Sequence, residues 1–122
     1  MVTIEKFEIM VAEITQTLPA DFFRELNGGI IIREERKIHP ESVGEQLSIM
    51  GEYQRHRHLG RSIVIYYGSF MAVCGHYSES QLCARLRKTI LHEFRHHLES
   101  LAGEKDLEIE DAIQIAKYKS LK

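Results

Sequence analysis

The longest apolar pattern in this 122-residue chain runs from Ser78 to Ala102. Large apolar side chains recur there at steps of three and four residues, which places them on one face of a helix. They are Leu82, Leu86, Ile90, Phe94, Leu98 and Leu101. Ser78 followed by Gln81 is typical of a capping box at the start of a helix, and Gly103 is typical of a helix end. The sequence therefore predicts one long helix with a buried side, and the fold has to supply an apolar layer for that side.

Other helical segments lie near both ends of the chain. Apolar residues at helical spacing predict a helix from Thr3 to about Thr17, with Thr3 as its cap and Pro19 beyond its end. A short helical turn is expected at 21–26, before Asn-Gly-Gly. A last helix is predicted from about Leu107 to Tyr118.

Two segments are rich in β-branched residues. Ile30 to Ile32 predict a short strand buried on both faces, and Ser62 to Tyr67 predict a strand that Gly68 closes. Residues 41–60 show only partial periodicity interrupted by glycines, so we expect a loop or a short helix with a connector. The order helix, strand, strand, helix, helix indicates a single α+β domain over residues 1–122.

Composition narrows the classes of function. The 16 basic and 18 acidic residues give a formal charge of −2, so no nucleic acid partner is expected. The first residues mix charges with apolar residues, unlike a secretory signal, and no apolar run approaches the roughly 18 residues that span a bilayer. Cys74 and Cys83 are too few for a disulfide framework. We therefore expect a cytoplasmic protein with reduced cysteines and no membrane partner.

The chemistry of the chain is concentrated in the long helix, which contains the motif H-E-x-x-H from His92 to His96. Two histidines four residues apart share one helix face, so both imidazoles can reach one metal ion. Zinc suits this pair because it binds neutral imidazole nitrogens and tolerates an open coordination position. Glu93 is then placed as the general base, taking a proton from a water that the metal activates for attack on a carbonyl carbon. The sequence predicts one zinc ion per chain.

The third metal ligand is less directly indicated. Glu99 lies on the face of His92, but about 10.5 Å further along the helix axis, which favours a hydrogen bond to an imidazole over ligation. After Gly103 the chain offers the carboxylates of Glu104, Asp106 and Glu108. Asp106 is our first choice as the third ligand.

The stretch from the first helix to residue 107 resembles the minimal zincin-like metallopeptidases of bacteria. These are small single-domain proteins with the signature H-E-x-x-H-x-x-G-x-x-D. The resemblance is carried by Phe7 to Leu18, Ile30 to Glu34, Ile63 to Cys74 and the metal helix from Thr89, including the doubled His96-His97. It implies a small sheet packed against helices, with the metal motif on the long helix.

The resemblance also implies site residues. His92 and His96 match the ligands of the family signature, and Glu93 matches its catalytic base. The chain departs from the signature after His97, because Gly103-Glu104-Lys105-Asp106 reproduces G-x-x-D four residues late. One additional helical turn accounts for that displacement.

Several other residues are open to a functional or a structural interpretation. The phenols of Tyr53, Tyr66 and Tyr67 could stabilise an oxyanion, although strand tyrosines are more often packing residues. The strand from Ile63 to Tyr67 could pair with an extended peptide substrate if its outer edge is free. The basic stretch 55–58 could bind phosphate or a metal, but a solvated loop is the simpler interpretation. His97 points away from the face of His92, so we expect it to hydrogen-bond a neighbouring element.

The leading hypothesis is a zinc-dependent peptidase that acts on a peptide or an exposed protein segment. A second hypothesis is a binding or regulatory module that keeps the shape of a zincin but has lost turnover. A third is a helix-rich interaction protein in which the histidines are incidental. The affinity for zinc and the effect of zinc on stability discriminate among them.

Overall fold

The structure is a computed structural model that describes residues 1–44 and 47–103. The helix predicted from Leu107 to Tyr118 and the third-ligand candidate Asp106 lie outside the described residues. The elements are α1 (Ile4–Gln16), a 3-10 helix (Ala20–Phe23), β1 (Gly29–Arg33), β2 (Lys37–Ile38), β3 (Ser48–Ile49), β4 (Gly51–His56), β5 (Gly60–Tyr66), α2 (Tyr67–Cys74) and α3 (Glu79–Ala102).

The two long helices and their caps are confirmed. Thr3 caps α1 by accepting a hydrogen bond from the Lys6 N–H at 3.2 Å. Ser78 and Gln81 form both hydrogen bonds of a capping box at the start of α3, and Gly103 is the residue at its end. Because these signals act within a few residues of each helix end, they could be recognised in the sequence alone.

The main sheet has three strands in the order β1-β5-β4. The central strand, β5, pairs parallel with β1 and antiparallel with β4. Because both edges of β5 are occupied, the prediction that a substrate could pair with Ile63 to Tyr67 is wrong. In the described part of the chain β4 and β1 are the edge strands of this sheet, and β2 pairs with β3 in a separate two-stranded ladder.

Two predictions on the strands need correction. Residues 41–60 contain β3 and β4 instead of a loop or a short helix with a connector. The strand β1 is half-buried along Gly29 to Ile32, and not buried on both faces as predicted. Within residues 1–44 and 47–103 it is an edge strand, which leaves it more exposed than the central strand β5.

The chain enters a helix directly after β5. Gly68 lies in the first turn of α2, where a Cβ would be 2.5 Å from the backbone nitrogen of Arg36. Any larger residue would clash with that backbone, so the glycine permits a close approach of α2 to the segment before β2. The prediction that Gly68 follows the strand is correct, but the exit from the strand is helical.

The core lies between the sheet and the helices α1 and α3. The helix α3 packs across β4 and β5 and alongside α1. All six residues of the predicted stripe are buried, as are Phe7 of α1 and Ile63 and Ile65 of β5. The fold is therefore α+β, and the core fixes which face of α3 is turned away from the sheet. No helix in the ranges 1–44 and 47–103 is both long and apolar enough to cross a membrane.

Candidate metal centre

The core determines the orientation of the H-E-x-x-H motif. Phe94 lies inside the motif, is fully buried and contacts the ring of Phe23 edge to face, with 5.0 Å between the ring centroids. Its ring centroid is also 5.8 Å from that of Phe22. These aromatic contacts restrict rotation of α3, so the exposed face that carries His92 and His96 has a defined direction.

The two histidines of the motif point at one another. The Nε2 atoms of His92 and His96 are 3.1 Å apart, and the two rings are nearly perpendicular. In a tetrahedral site with Zn–N bonds of about 2.0–2.1 Å, two ligand nitrogens are roughly 3.3 Å apart. The observed separation is close to that value, so small ring rotations would bring both nitrogens to a single zinc ion.

The protonation state of His92 also suits a metal ligand. Partial burial lowers the pKa of His92, and the charges of His96 and Arg95 lower it further, whereas Glu99 acts in the opposite direction. The neutral form of the ring is favoured as a result. A neutral imidazole has the lone pair that a metal ion requires.

Glu93 is turned from the histidine face towards the sheet. Only 6% of its surface is exposed. Burial raises the pKa of Glu93 to about 7, and the negative charge of Glu52 on β4 is the second cause. A carboxyl group with such a pKa can both accept and release a proton near neutral pH.

An open groove of about 750 Å³ separates the exposed face of α3 from β4. His92, Glu93 and His96 line it on the helix side. Gly51, Glu52, Tyr53 and Arg55 line it on the strand side. The three motif residues therefore line one continuous groove.

The carboxylate of Glu52 is held by two donors. Its Oε1 accepts hydrogen bonds from Lys37 Nζ at 2.7 Å and from the Tyr66 hydroxyl at 2.6 Å. Burial alone would raise the pKa of Glu52, but these hydrogen bonds outweigh that effect and lower it. Glu52 is therefore ionised at neutral pH and places a fixed negative charge beside the groove.

His97 is fully buried and has a different role from its neighbour His96. Its Nε2 lies 2.8 Å from the carbonyl oxygen of Arg24, and its Nδ1 lies 2.8 Å from the hydroxyl of Tyr53. A carbonyl only accepts, so Nε2–H donates to Arg24, and Nδ1 accepts the hydroxyl proton of Tyr53. Burial lowers the pKa of His97 despite the hydrogen bond to Arg24, which keeps the ring neutral. The prediction that His97 bonds a neighbouring element is confirmed.

The three tyrosines that were considered as oxyanion donors all have their hydroxyl protons engaged. The hydroxyl of Tyr66 donates to Glu52 and that of Tyr67 donates to the carbonyl of Val2 at 2.6 Å. Tyr53 lines the groove, but its proton is directed at His97. This arrangement favours packing and positioning roles for the phenols over oxyanion stabilisation.

The remaining predicted residues are Glu99, Asp106 and the basic stretch 55–58, and of these Glu99 lines the groove with His92 and His96. Glu99 accepts a 2.6 Å hydrogen bond from Arg95, where an imidazole had been expected as its partner. Asp106 is outside the described ranges. Within residues 1–44 and 47–103, no three His, Cys, Asp or Glu side chains are grouped closely enough to hold a metal ion. The basic stretch 55–58 is exposed at the end of β4 and in the turn to β5, and there His56 bonds Gln54.

The strand side of the groove was not predicted. Gly51, Glu52 and Arg55 fall in the stretch that was interpreted as a loop or connector. The sequence signal for a strand was weak here. The segment Gly51-Glu52-Tyr53-Gln54-Arg55-His56 has one apolar residue and no alternation of apolar with polar residues. An edge strand that faces a solvated groove does not need such alternation.

Comparison with known proteins identifies a family and a similar solved structure. The sequence pattern of the zincin-like metallopeptidase family matches residues 40–114, more than half of the chain and including the whole H-E-x-x-H motif. The structure of a conserved hypothetical protein from Thermus thermophilus has a TM-score of 0.72 and 38% sequence identity to this chain. That match covers 84% of this chain and 100% of the other. No curated protein matches this chain.

Proposed function

Because this chain belongs to the zincin-like metallopeptidase family, we propose that it is a zinc-dependent peptidase. His92, His96 and Asp106 hold one zinc ion, and Glu93 is the general base. The observation that carries this proposal is the convergence of the two Nε2 atoms to 3.1 Å at the side of an open groove that Glu93 also lines.

Each residue has a distinct part in the proposed reaction. When bound, zinc lowers the pKa of a water molecule and polarises the carbonyl group of the substrate. Glu93 accepts the proton of the attacking water and then delivers a proton to the leaving amine. Its pKa of about 7 in the metal-free protein reflects a buried carboxyl group that exchanges protons readily in this pH range.

The geometry of β4 supports a peptide as the substrate. The N–H of Tyr66 donates to the carbonyl oxygen of Met50 at 3.0 Å, so these opposed residues form a hydrogen-bonded pair. Such pairs alternate along an antiparallel ladder. In the register of β4 with β5, Gly51 and Arg55 therefore fall in the other kind of pair and direct their N–H and C=O groups away from β5. An extended peptide can add to that edge as a further strand.

The test combines metal analysis with hydrolysis of a peptide mixture followed by mass spectrometry. We expect one zinc ion per chain and cleavage by the unmodified protein. Glu93→Gln should retain zinc and lose cleavage, whereas His92→Ala and His96→Ala should lose zinc. His58→Ala is the matched control, because His58 is exposed in the turn between β4 and β5, outside the residues that line the groove. Absence of zinc after zinc has been offered would remove the proposal.

The displaced G-x-x-D sequence favours a second candidate, a zincin-like binding or regulatory module without turnover. Asp106 stands four residues later than the family signature places its acidic residue. A protein that binds zinc weakly and cleaves nothing in the peptide mixture would support this candidate. Separate Asp106→Asn and Glu99→Gln variants, each with its zinc affinity measured, identify which carboxylate contributes.

A further inference from the structure

The strand β4 lies close against the helix α3 at Gly51. A Cβ atom on this residue would lie 3.1 Å from Cγ2 of Thr89, 3.2 Å from Cδ1 of Ile65 and 3.3 Å from Cγ of Glu93. Non-bonded carbon atoms are ordinarily about 3.5–4.0 Å apart. Any side chain at this position would therefore push Glu93 or the strand by a few tenths of an ångström.

Space, and not backbone conformation, is what requires glycine at this position. Positive φ angles in the described residues are found at Glu25, Gly29, Gly44 and Gly60, but not at Gly51. The residue thus has no conformational need to be glycine. The contact with Glu93 is the one that reaches the site, whereas Thr89 and Ile65 supply packing.

The backbone of Gly51 also faces the position of a substrate strand. Its N–H and C=O groups point away from β5, as the hydrogen-bonding alternation of the ladder requires. One residue therefore borders the general base on one side and, within the described part of the chain, the edge of the sheet on the other. The size of the residue at position 51 therefore sets the distance between the Glu93 carboxyl group and a peptide that pairs with β4.

We propose that Gly51 is a positioning residue for the reaction, because its missing side chain fixes the carboxyl group of Glu93 relative to a peptide bound along β4. This inference rests on the proposed peptidase function. A purely structural role for Gly51 would involve only the contacts with Thr89 and Ile65. The two roles can be separated by removing those contacts first.

The first experiment uses the metal-free protein and requires no activity. Thr89→Ser removes Cγ2 and Ile65→Val removes Cδ1. The double variant, called the relieved background, therefore lacks both of the packing contacts that a Cβ at position 51 would make. Gly51→Ala in the relieved background should lower the urea midpoint of unfolding, and the decrease should be smaller when Glu93→Ala also removes Cγ. Equal decreases in the urea midpoint with and without Glu93→Ala would show that a side chain at position 51 does not clash with Glu93, and would overturn the proposal.

The second experiment measures kinetics of the zinc-loaded protein. Misplacement of a catalytic group by 1 Å can cost about 100-fold, so a shift of a few tenths of an ångström should lower kcat by about tenfold. We expect Gly51→Ala in the relieved background to show this loss, while KM and zinc content change by less than about twofold. An unchanged kcat would overturn the proposal.

Gly28→Ala is the matched control for crowding against the same sheet, because Gly28 directly precedes β1. A Cβ on Gly28 would lie 2.8 Å from Cβ of Ser62, so this variant should lose stability as well. Gly28 does not line the groove. Its kcat, expressed per folded molecule, should equal that of the unmodified enzyme. A tenfold loss here as well would mean that crowding anywhere in the sheet lowers activity, which contradicts a specific role for Gly51.

Failure of this inference is distinguishable from failure of the proposed function. If Glu93→Gln retains hydrolysis, the assignment of the base is wrong. If Glu93→Gln is inactive but Gly51→Ala keeps full kcat, only the positioning role is wrong. If the unmodified protein cleaves no peptide, the metal-free stability comparison still decides whether position 51 restrains Glu93.

Discussion

Removal of the Tyr53 hydroxyl should destabilise the protein through His97. Tyr53→Phe leaves the ring in place but takes the only proton that Nδ1 of His97 accepts, at 2.8 Å in the structure. The other nitrogen of the ring already donates to Arg24, so the imidazole cannot switch tautomer without losing that bond. The variant therefore leaves a lone pair of a fully buried ring unsatisfied.

The size of the effect follows from this burial. A buried acceptor that loses its donor costs about 1–3 kcal/mol, more than the net 0.5–1.5 kcal/mol of an average hydrogen bond. Since His97 is fully buried, we expect a loss of about 2 kcal/mol. For a domain of this length that corresponds to a decrease in Tm of roughly 6–10 °C.

The assay is urea and thermal unfolding in the presence of a chelator, so that metal binding does not contribute. Tyr53→Phe is compared with His97→Phe and with the double variant. In the double variant the partner of the phenol is already gone, so Tyr53→Phe should cost at least 1 kcal/mol less than it does alone. A cost below about 0.5 kcal/mol for Tyr53→Phe alone, or strict additivity in the double variant, would refute the argument.

Three further predictions concern the core, the pH dependence and the metal. Phe94→Ala should destabilise the metal-free protein by about 3–5 kcal/mol in urea unfolding, because the ring is fully buried against Phe23; a loss below about 1 kcal/mol would contradict this packing. Because burial lowers the pKa of His97 below its ordinary value of 6.5, the unfolded chain takes up a proton first. The free energy of unfolding therefore contains the full contribution of neutral His97 above pH 6.5, and loses it as the pH falls towards the lowered pKa of the folded protein. The variant His97→Phe should remove this part of the pH dependence. Zinc at 100 times its Kd should raise the free energy of unfolding by about 2.7 kcal/mol, and a Tm that does not respond to zinc or to chelator would contradict specific binding.

The helical half of the site was predictable because its determinants are local. The capping box at Ser78 and the six-residue stripe lie within α3 itself, and both are as expected. Spacing of four residues along a helix also determines that His92 and His96 share a face. Even the separate direction of His97 followed from helical rotation alone, although its partners Tyr53 and Arg24 did not.

The strand side of the site was not predictable, because an edge strand forms through its pairing with a neighbouring strand and not through its own sequence pattern. Glu52 and Gln54 are polar and in a half-buried strand, and what holds that strand is its ladder with β5. Gly51 was interpreted as an interruption of a pattern, whereas in the structure it permits the contact between β4 and α3. A glycine that ends an element and a glycine that permits a close approach look the same in a single sequence.

Predicting the third ligand requires both the local geometry of the helix and the contacts between elements. A helix that supplies two ligands four residues apart has its next residue on that face at position 99, about 10.5 Å along the axis from His92. Glu99 instead accepts a hydrogen bond from Arg95. The helix α3 ends at Ala102, and the residues described before it supply no third ligand group. Asp106 therefore stays the proposed third ligand on sequence grounds, because it completes a G-x-x-D sequence with Gly103.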